Sequence, residues 1–293
     1  MISSSGFFVS PTPLPDAQAT GLELLYESPE GNCVLLKGHR NDRVVVYKCL
    51  KAQFKDDPIQ QRMLRREYEI GASLKHPGVC EVLGWVVIPG YGDSIEMEYI
   101  DGQRLDAWLS AEHRSVQEQR KLLCELCDAL SYVHRKQVIH KDLKPENILV
   151  TRNGGYAKII DFGLSDADSV LTGKDPAGTI QYAAPEVIAG DAAGERSDIF
   201  SFGRILQDMS PAFSRIARKC TETHPEKRYV SFDELRKDLA AVIGTHRLRG
   251  LFLIILLLIA ALLLLYRPGH NDPVEDLFLD AVEQVKEAAT PAL

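Results

Sequence analysis

His140-Lys141-Asp142-Leu143-Lys144-Pro145-Glu146-Asn147-Ile148-Leu149-Val150 places an acid, a cation and an amide at fixed offsets between two apolar runs. Val138-Ile139 before it and Ile148-Leu149-Val150 within it can anchor both ends in a core, leaving the polar residues at the surface of a cleft. Loops that carry chemistry are built in this way, on a scaffold that holds their ends. Ionised at neutral pH, Asp142 can orient a hydroxyl and take its proton, and Lys144 can balance negative charge. The Asn147 amide oxygen suits a hard cation such as Mg2+.

Fourteen residues past Asn147 stands Asp161-Phe162-Gly163, and Ala184-Pro185-Glu186 follows. Each triplet is common alone; all three segments in this order and spacing are not. Together they resemble the signature of eukaryotic-type serine/threonine protein kinases, whose catalytic loop reads His-Arg-Asp-Leu-Lys-Pro-Glu-Asn. Lys141 stands here for the arginine. The resemblance implies an α+β, bilobal protein-kinase-like fold with a β-rich small lobe and a mainly helical large lobe. It implies ATP and Mg2+ as cofactors and, as partner, a protein with a Ser or Thr acceptor. Asp142 and Lys144 would be catalytic, and Asn147 and Asp161 would hold the metal. Lys144, Gly178-Thr179 and Tyr182 fit the serine/threonine branch, with Thr179 contacting Asp142 and Lys144. Asp198 would bond the backbone of the catalytic loop, and Arg228 would pair with Glu186.

Upstream, short β-like runs at 22–26, 33–36, 44–50, 82–88 and 95–100 are interrupted by a helical stretch from Pro58 to Leu74, which is the order of a kinase small lobe. By the resemblance, Lys48 would hold the ATP phosphates and pair with Glu67, nine residues before His76-Pro77, with Glu69 as the alternative. Met97 would sit at the back of the nucleotide pocket, and the backbones of Glu98 and Ile100 would bind adenine. Val34, Val46 and Leu149 would sandwich the ring, and Gly31 would cover the phosphates.

Two features depart from the family pattern. The phosphate-covering loop, Glu27 to Val34, has Gly31 as its single glycine and Glu30 opposing an anion. Gly71 stands one turn after Glu67, where the family stacks an apolar side chain; a mid-helix glycine costs ~1 kcal/mol in propensity, so this helix needs another contact to dock. A third difference concerns regulation. Where the family has a phosphorylated residue held by the loop arginine, this chain has Asp175 and Lys141, so a permanent ion pair is expected in its place. The large lobe is also short: only 21 residues separate Gly203 from Pro225, with Ser210-Pro211 read as an N-cap and first helical position.

The 293 residues are 45% hydrophobic and 26% charged, ordinary for a folded domain, and the net charge of −7 argues against a nucleic-acid partner. Six scattered cysteines follow no secretory signal and suit a reducing compartment; Cys124 and Cys127 fall within a helical apolar pattern and are read as core.

Leu251 to Tyr266 is an uninterrupted apolar run flanked by Arg249 and Arg267. With Gly250 it would span roughly 25 Å as a helix, the short end of what crosses a bilayer. Four Lys/Arg in the fifteen residues before it and one in the fifteen after put the kinase part on the cytoplasmic side. The organisation read from the sequence is therefore a flexible arm (1–21), a kinase domain (22–243, with a small lobe to 98 and a large lobe from 99), a basic linker (244–249), a single transmembrane helix (250–266) and an acidic tail (267–293). An amphipathic stripe at 272–286 would contact a second copy, an extracytoplasmic partner or the lipid surface. The rival reading is a membrane-tethered pseudokinase acting as a scaffold, motivated by the single-glycine loop and Gly71.

Overall fold

The computed structural model describes residues 19–28, 31–111, 114–162 and 180–242, together with 255, 256, 258, 259 and 262. The chain divides into two compact units, Met1–Gly244 and Thr245–Leu293. In the second, Ile255, Leu256, Leu258, Ile259 and Leu262 are helical and exposed. Among the described residues no helix is long and apolar enough to cross a membrane. Most of 250–266 and all of 267–293 lie outside the described residues.

The first unit begins with β1 (Thr20–Glu27), β2 (Cys33–Arg40), β3 (Arg43–Leu50), α1 (Pro58–Ser73), β4 (Val82–Ile88) and β5 (Gly92–Glu98). The strands form one antiparallel sheet ordered β1-β2-β3-β5-β4. Asn41 and Asp42, both at positive φ, close the two-residue turn between β2 and β3. Such turns match the twist of paired strands, and Asn and Asp tolerate the left-handed region better than most residues. α1 starts where Asp57 accepts hydrogen bonds from Ile59 N (2.7 Å) and Gln60 N (3.3 Å), with Pro58 in the first turn. A cap of this kind contributes ~1 kcal/mol.

The large lobe comprises a second sheet of β6 (Gly102–Arg104), β7 (Ile148–Thr151) and β8 (Ala157–Ile159), and helices α2 (Leu105–Ala111), α3 (Val116–Arg135), α4 (Pro185–Ile188), α5 (Glu195–Gln207), α6 (Ser214–Cys220) and α7 (Phe232–Ala241). A capping box between Ser115 and Glu118 starts α3. Leu122, Leu123, Leu126, Leu130 and Val133 on its inner face join the main core with Phe202, Phe213 and Phe232. Cys127 and Cys220 are fully buried in that core, and burial pushes both thiols well up from their ordinary range. That suits packing rather than redox chemistry.

After α5 the chain makes a 3-10 turn, Pro211–Phe213, before α6 begins at Ser214. Ser210 caps that turn rather than a full helix, its Oγ accepting from Ala212 N at 3.4 Å. The short return lets α6 lie directly on α5 at Gly203, where an added Cβ would come within 2.4 Å of Cys220 Cβ and 2.8 Å of Thr221 Cγ2. Gly203→Ala gains ~1 kcal/mol of helix propensity but overpacks this contact at a cost of ~1–3 kcal/mol. The variant is expected to melt several degrees lower by calorimetry; an unchanged or raised melting temperature would contradict the close packing of α5 on α6.

Candidate functional site

Lys48 lies on β3, on the same face as Val46, and its Nζ sits 2.5 Å from Glu67 Oε1 of α1 and 3.2 Å from Asp161 Oδ1 just beyond β8. Burial works to neutralise the ammonium, but Asp161 and then Glu67 outweigh it and hold the lysine well above its ordinary pKa. Lys48 therefore stays charged across the accessible pH range. Glu69, the alternative partner, pairs instead with Arg65 on the exposed side of α1, at 3.4 Å.

Gly71 explains how α1 docks without a side chain there. A Cβ on Gly71 would lie 2.5 Å from Val82 Cγ2, so the Val82 side chain already fills the space. An irregularity in the β4–β5 register between Val82 and Gly84 accompanies this placement. Behind Met97 a small pocket is lined by Glu67, Gly71, Cys80, Val82, Met97 and Phe162. Burial pushes the Cys80 thiol up to about 12.

Val34, expected beside Val46 on the nucleotide face, does not lie there. Val34 packs with Leu36, Val45, Tyr47 and Cys49, on the face of β2 and β3 opposite to Val46 and Lys48. Side chains alternate along a strand, and the register pairs Cys33 with Leu50 and Leu35 with Lys48, so Cys33 and Leu35 share the face with Val46. Cys33 is thus the residue of this segment that sequence reasoning missed; the alternation could find it only once the register was known. Leu149, half-buried, points opposite to the core residues Ile148 and Val150 of β7. The Gly31 N–H donates to Ser28 Oγ at 2.8 Å, while 29–30, including Glu30, lie outside the described residues. At the junction of the lobes, Glu98 N–H donates to Glu81 O (2.9 Å), and Ile100 follows beyond the last ladder pair of β5.

In the loop before β7, Lys144 Nζ lies 2.8 and 3.0 Å from the two Asp142 carboxylate oxygens. Asn147 Nδ2 donates to Asp142 O (2.8 Å) and Oδ2 (3.1 Å), which leaves its Oδ1 as the atom that could meet a cation. Ile160 N–H donates to Asn147 O at 3.1 Å, bringing Asn147 next to Asp161. Among the described residues no three His, Cys, Asp or Glu cluster as a metal cage. A hard-oxygen pair completed by phosphate and water oxygens fits Mg2+, which keeps several waters and rarely takes an all-protein cage.

The loop is mounted on Asp198 of α5, which is wholly buried and accepts from His140 N (2.8 Å), Lys141 N (2.9 Å) and His134 Nε2 (2.8 Å). These bonds fix Lys141 at φ 65°, a conformation that costs a non-glycine residue ~1–3 kcal/mol. His134 gave no signal in the sequence beyond its place in the helical pattern of α3. The His140 ring packs against Phe162 with centroids 5.1 Å apart. Arg228 holds both Glu186 oxygens, at 2.7 and 2.8 Å. Gly163, Asp175, Gly178 and Thr179, and with them the expected Lys141–Asp175 pair, lie outside the described residues.

A β-rich lobe and a helical lobe, with a lysine-glutamate-aspartate contact between them, define a kinase-like class of fold. The protein kinase domain model matches residues 29–238, and the chain belongs to the protein kinase family. It is 31% identical over 247 residues to a probable serine/threonine-protein kinase of Streptomyces coelicolor, covering 69% of this chain and 36% of that one. It is 29% identical over 276 residues to the serine/threonine-protein kinase PknB of Mycobacterium tuberculosis, covering 80% and 44% respectively. The chain thus spans less than half the length of these curated relatives. The crystal structure of the Mycobacterium tuberculosis PknI kinase domain shares the fold, with a TM-score of 0.59 and 20% identity, covering 77% of this chain and 97% of that domain.

The geometry separates the two glutamates of α1. Glu67→Gln is expected to lower phosphotransfer at least ~10-fold in a kinase assay through loss of positioned charge, while Glu69→Gln stays within about twofold of wild type. Equal losses in both variants would contradict the assignment.

Proposed function

We propose that the chain is a membrane-anchored serine/threonine protein kinase that transfers the γ-phosphoryl of Mg-ATP to Ser or Thr hydroxyls of a protein. The observation that carries this reading is the Lys48 ammonium held between Glu67 at 2.5 Å and Asp161 at 3.2 Å, which joins β3, α1 and the segment after β8 in one closed arrangement. The serine/threonine specificity is supported by the names of the curated relatives and by Lys144 beside Asp142.

In this reading Asp142 orients the acceptor hydroxyl and takes its proton as the oxygen attacks phosphorus. The bond from phosphorus to the β–γ bridging oxygen breaks, and ADP leaves. Lys144 offsets charge on the transferring group, and Lys48 does so at the α- and β-phosphates. Asn147 Oδ1 and the Asp161 carboxylate would hold Mg2+, and the ion would supply positive charge to offset that of the phosphates. Val46, Cys33 and Leu149 enclose the adenine, with Met97 behind it and the backbones of Glu98 and Ile100 at its edge. The pseudokinase reading is favoured by one observation, the Gly31 N–H being taken up by Ser28 in a loop with a single glycine.

Residues 250–266 form the single transmembrane helix in this proposal. The kinase domain is on the cytoplasmic side and 267–293 on the other, where 272–286 contacts a second copy or an extracytoplasmic partner. The helical, exposed Ile255, Leu256, Leu258, Ile259 and Leu262 support a lipid-facing segment.

Asp142→Asn and Lys48→Met are each expected to lower autophosphorylation at least ~100-fold with the fold intact, because positioned charge rather than packing is lost. Unchanged labelling in both would favour the scaffold. Removing 250–266 should release the chain from alkali-washed membranes into the soluble fraction; full-length chain that is itself released by the wash would refute the anchor.

A further inference from the structure

One carboxylate ties the junction of the lobes to the strand that leads to Asp161. Glu98 closes β5, and its Oε1 accepts from Lys158 Nζ of β8 and from Glu81 N–H at 2.8 Å. The Glu98 N–H returns to Glu81 O at 2.9 Å, so the end of β5 and the segment before β4 are held at two points. That segment is in turn tied to β8: Cys80 N–H donates to Ile159 O (2.7 Å) and Ile159 N–H to Gly78 O (2.9 Å). Lys158 and Glu98 side chains are 18% and 28% exposed, which limits screening of their attraction by water and salt. Lys158 is three residues before Asp161 and pairs with Leu149 in the β7–β8 ladder. Any movement of the end of β5 away from β8 must therefore break the Lys158–Glu98 pair or pull on the strand that carries Asp161.

We propose that Lys158 and the Glu98 side chain form an inter-lobe clamp that holds the cleft closed on nucleotide and slows its release. Both act as positioning residues through β5 and β8. The proposal rests on the reading that this cleft binds Mg-nucleotide. It assigns the pair a role in the lifetime of the nucleotide complex rather than in the transfer step.

The test is stopped-flow displacement of a fluorescent ADP analogue with Mg2+ present, from the full chain and from Lys158→Met, Glu98→Gln, their combination and Lys158→Arg. Each of the first two is expected to release nucleotide about three- to tenfold faster, and the combination no faster than the quicker single variant, as for two residues acting through one contact. Lys158→Arg keeps the charge and should remain within about twofold of wild type, which preserves the test if Lys158→Met does not fold. Single-turnover transfer by Lys158→Met at saturating ATP should change less than about twofold while KM for ATP rises. Unchanged release in both single variants, or effects that multiply in the combination, would overturn the clamp alone. A wild-type chain that takes up no nucleotide would overturn the clamp together with the reading on which it rests.

Discussion

The Lys48 ammonium is the point on which the cleft depends. Taking a lysine out of water is unfavourable unless opposite charges replace the solvent. Here those charges come from two elements far apart in sequence, Glu67 on α1 and Asp161 beyond β8. The three groups can be satisfied together only when α1 lies against the sheet and the large lobe presents Asp161 to the small one. A side-chain requirement in β3 thereby becomes a constraint on the relation of the two lobes. The same logic explains why Val82 matters: it fills the space beside Gly71, so α1 reaches the position that Lys48 requires without the side chain that the family usually has there.

A second buried charge plays the corresponding part in the large lobe. Asp198 has no exposed surface, and its carboxylate is met by two backbone N–H groups and an imidazole. It holds the loop on α5, the helix against which α6 packs through Gly203. Rigidity passes from the core to α5, from α5 to Asp198, and from Asp198 to the backbone that carries Asp142. The Glu186–Arg228 pair pins α4 to the same lobe, with Arg228 also donating to the Glu222, Arg196 and Thr223 carbonyls.

The order of strands and helices and the loop from His140 to Val150 were legible in the sequence, because each rests on local periodicity or on contiguous polar residues. The pairing of Lys48 could be narrowed to two glutamates two residues apart, on opposite faces of one helix, and only the packing of α1 chose between them. Val34 was misread for a different reason. Strand alternation gives two faces but does not say which one meets the cleft, and with a single glycine the loop before β2 offers little to fix the count. His134, Lys158 and the Glu98 carboxylate carry no local signature at all: their roles arise from contacts across 60 or more residues, such as His134 with Asp198 and Lys158 with Glu98. Contacts of that span become visible only when the chain is folded.

A working phosphotransferase, rather than a nucleotide-shaped scaffold, is what the contacts around Lys48, Asp142 and Asn147 should make. This is tested most directly by incubating the purified full chain with Mg2+ and ATP isotopically labelled in the γ-phosphoryl, with a general protein acceptor, and mapping the label by mass spectrometry. Covalent label on Ser and Thr hydroxyls that requires Mg2+ is the expected result. Nucleotide bound in the cleft with no label on any Ser or Thr, whatever the time of incubation, would contradict it.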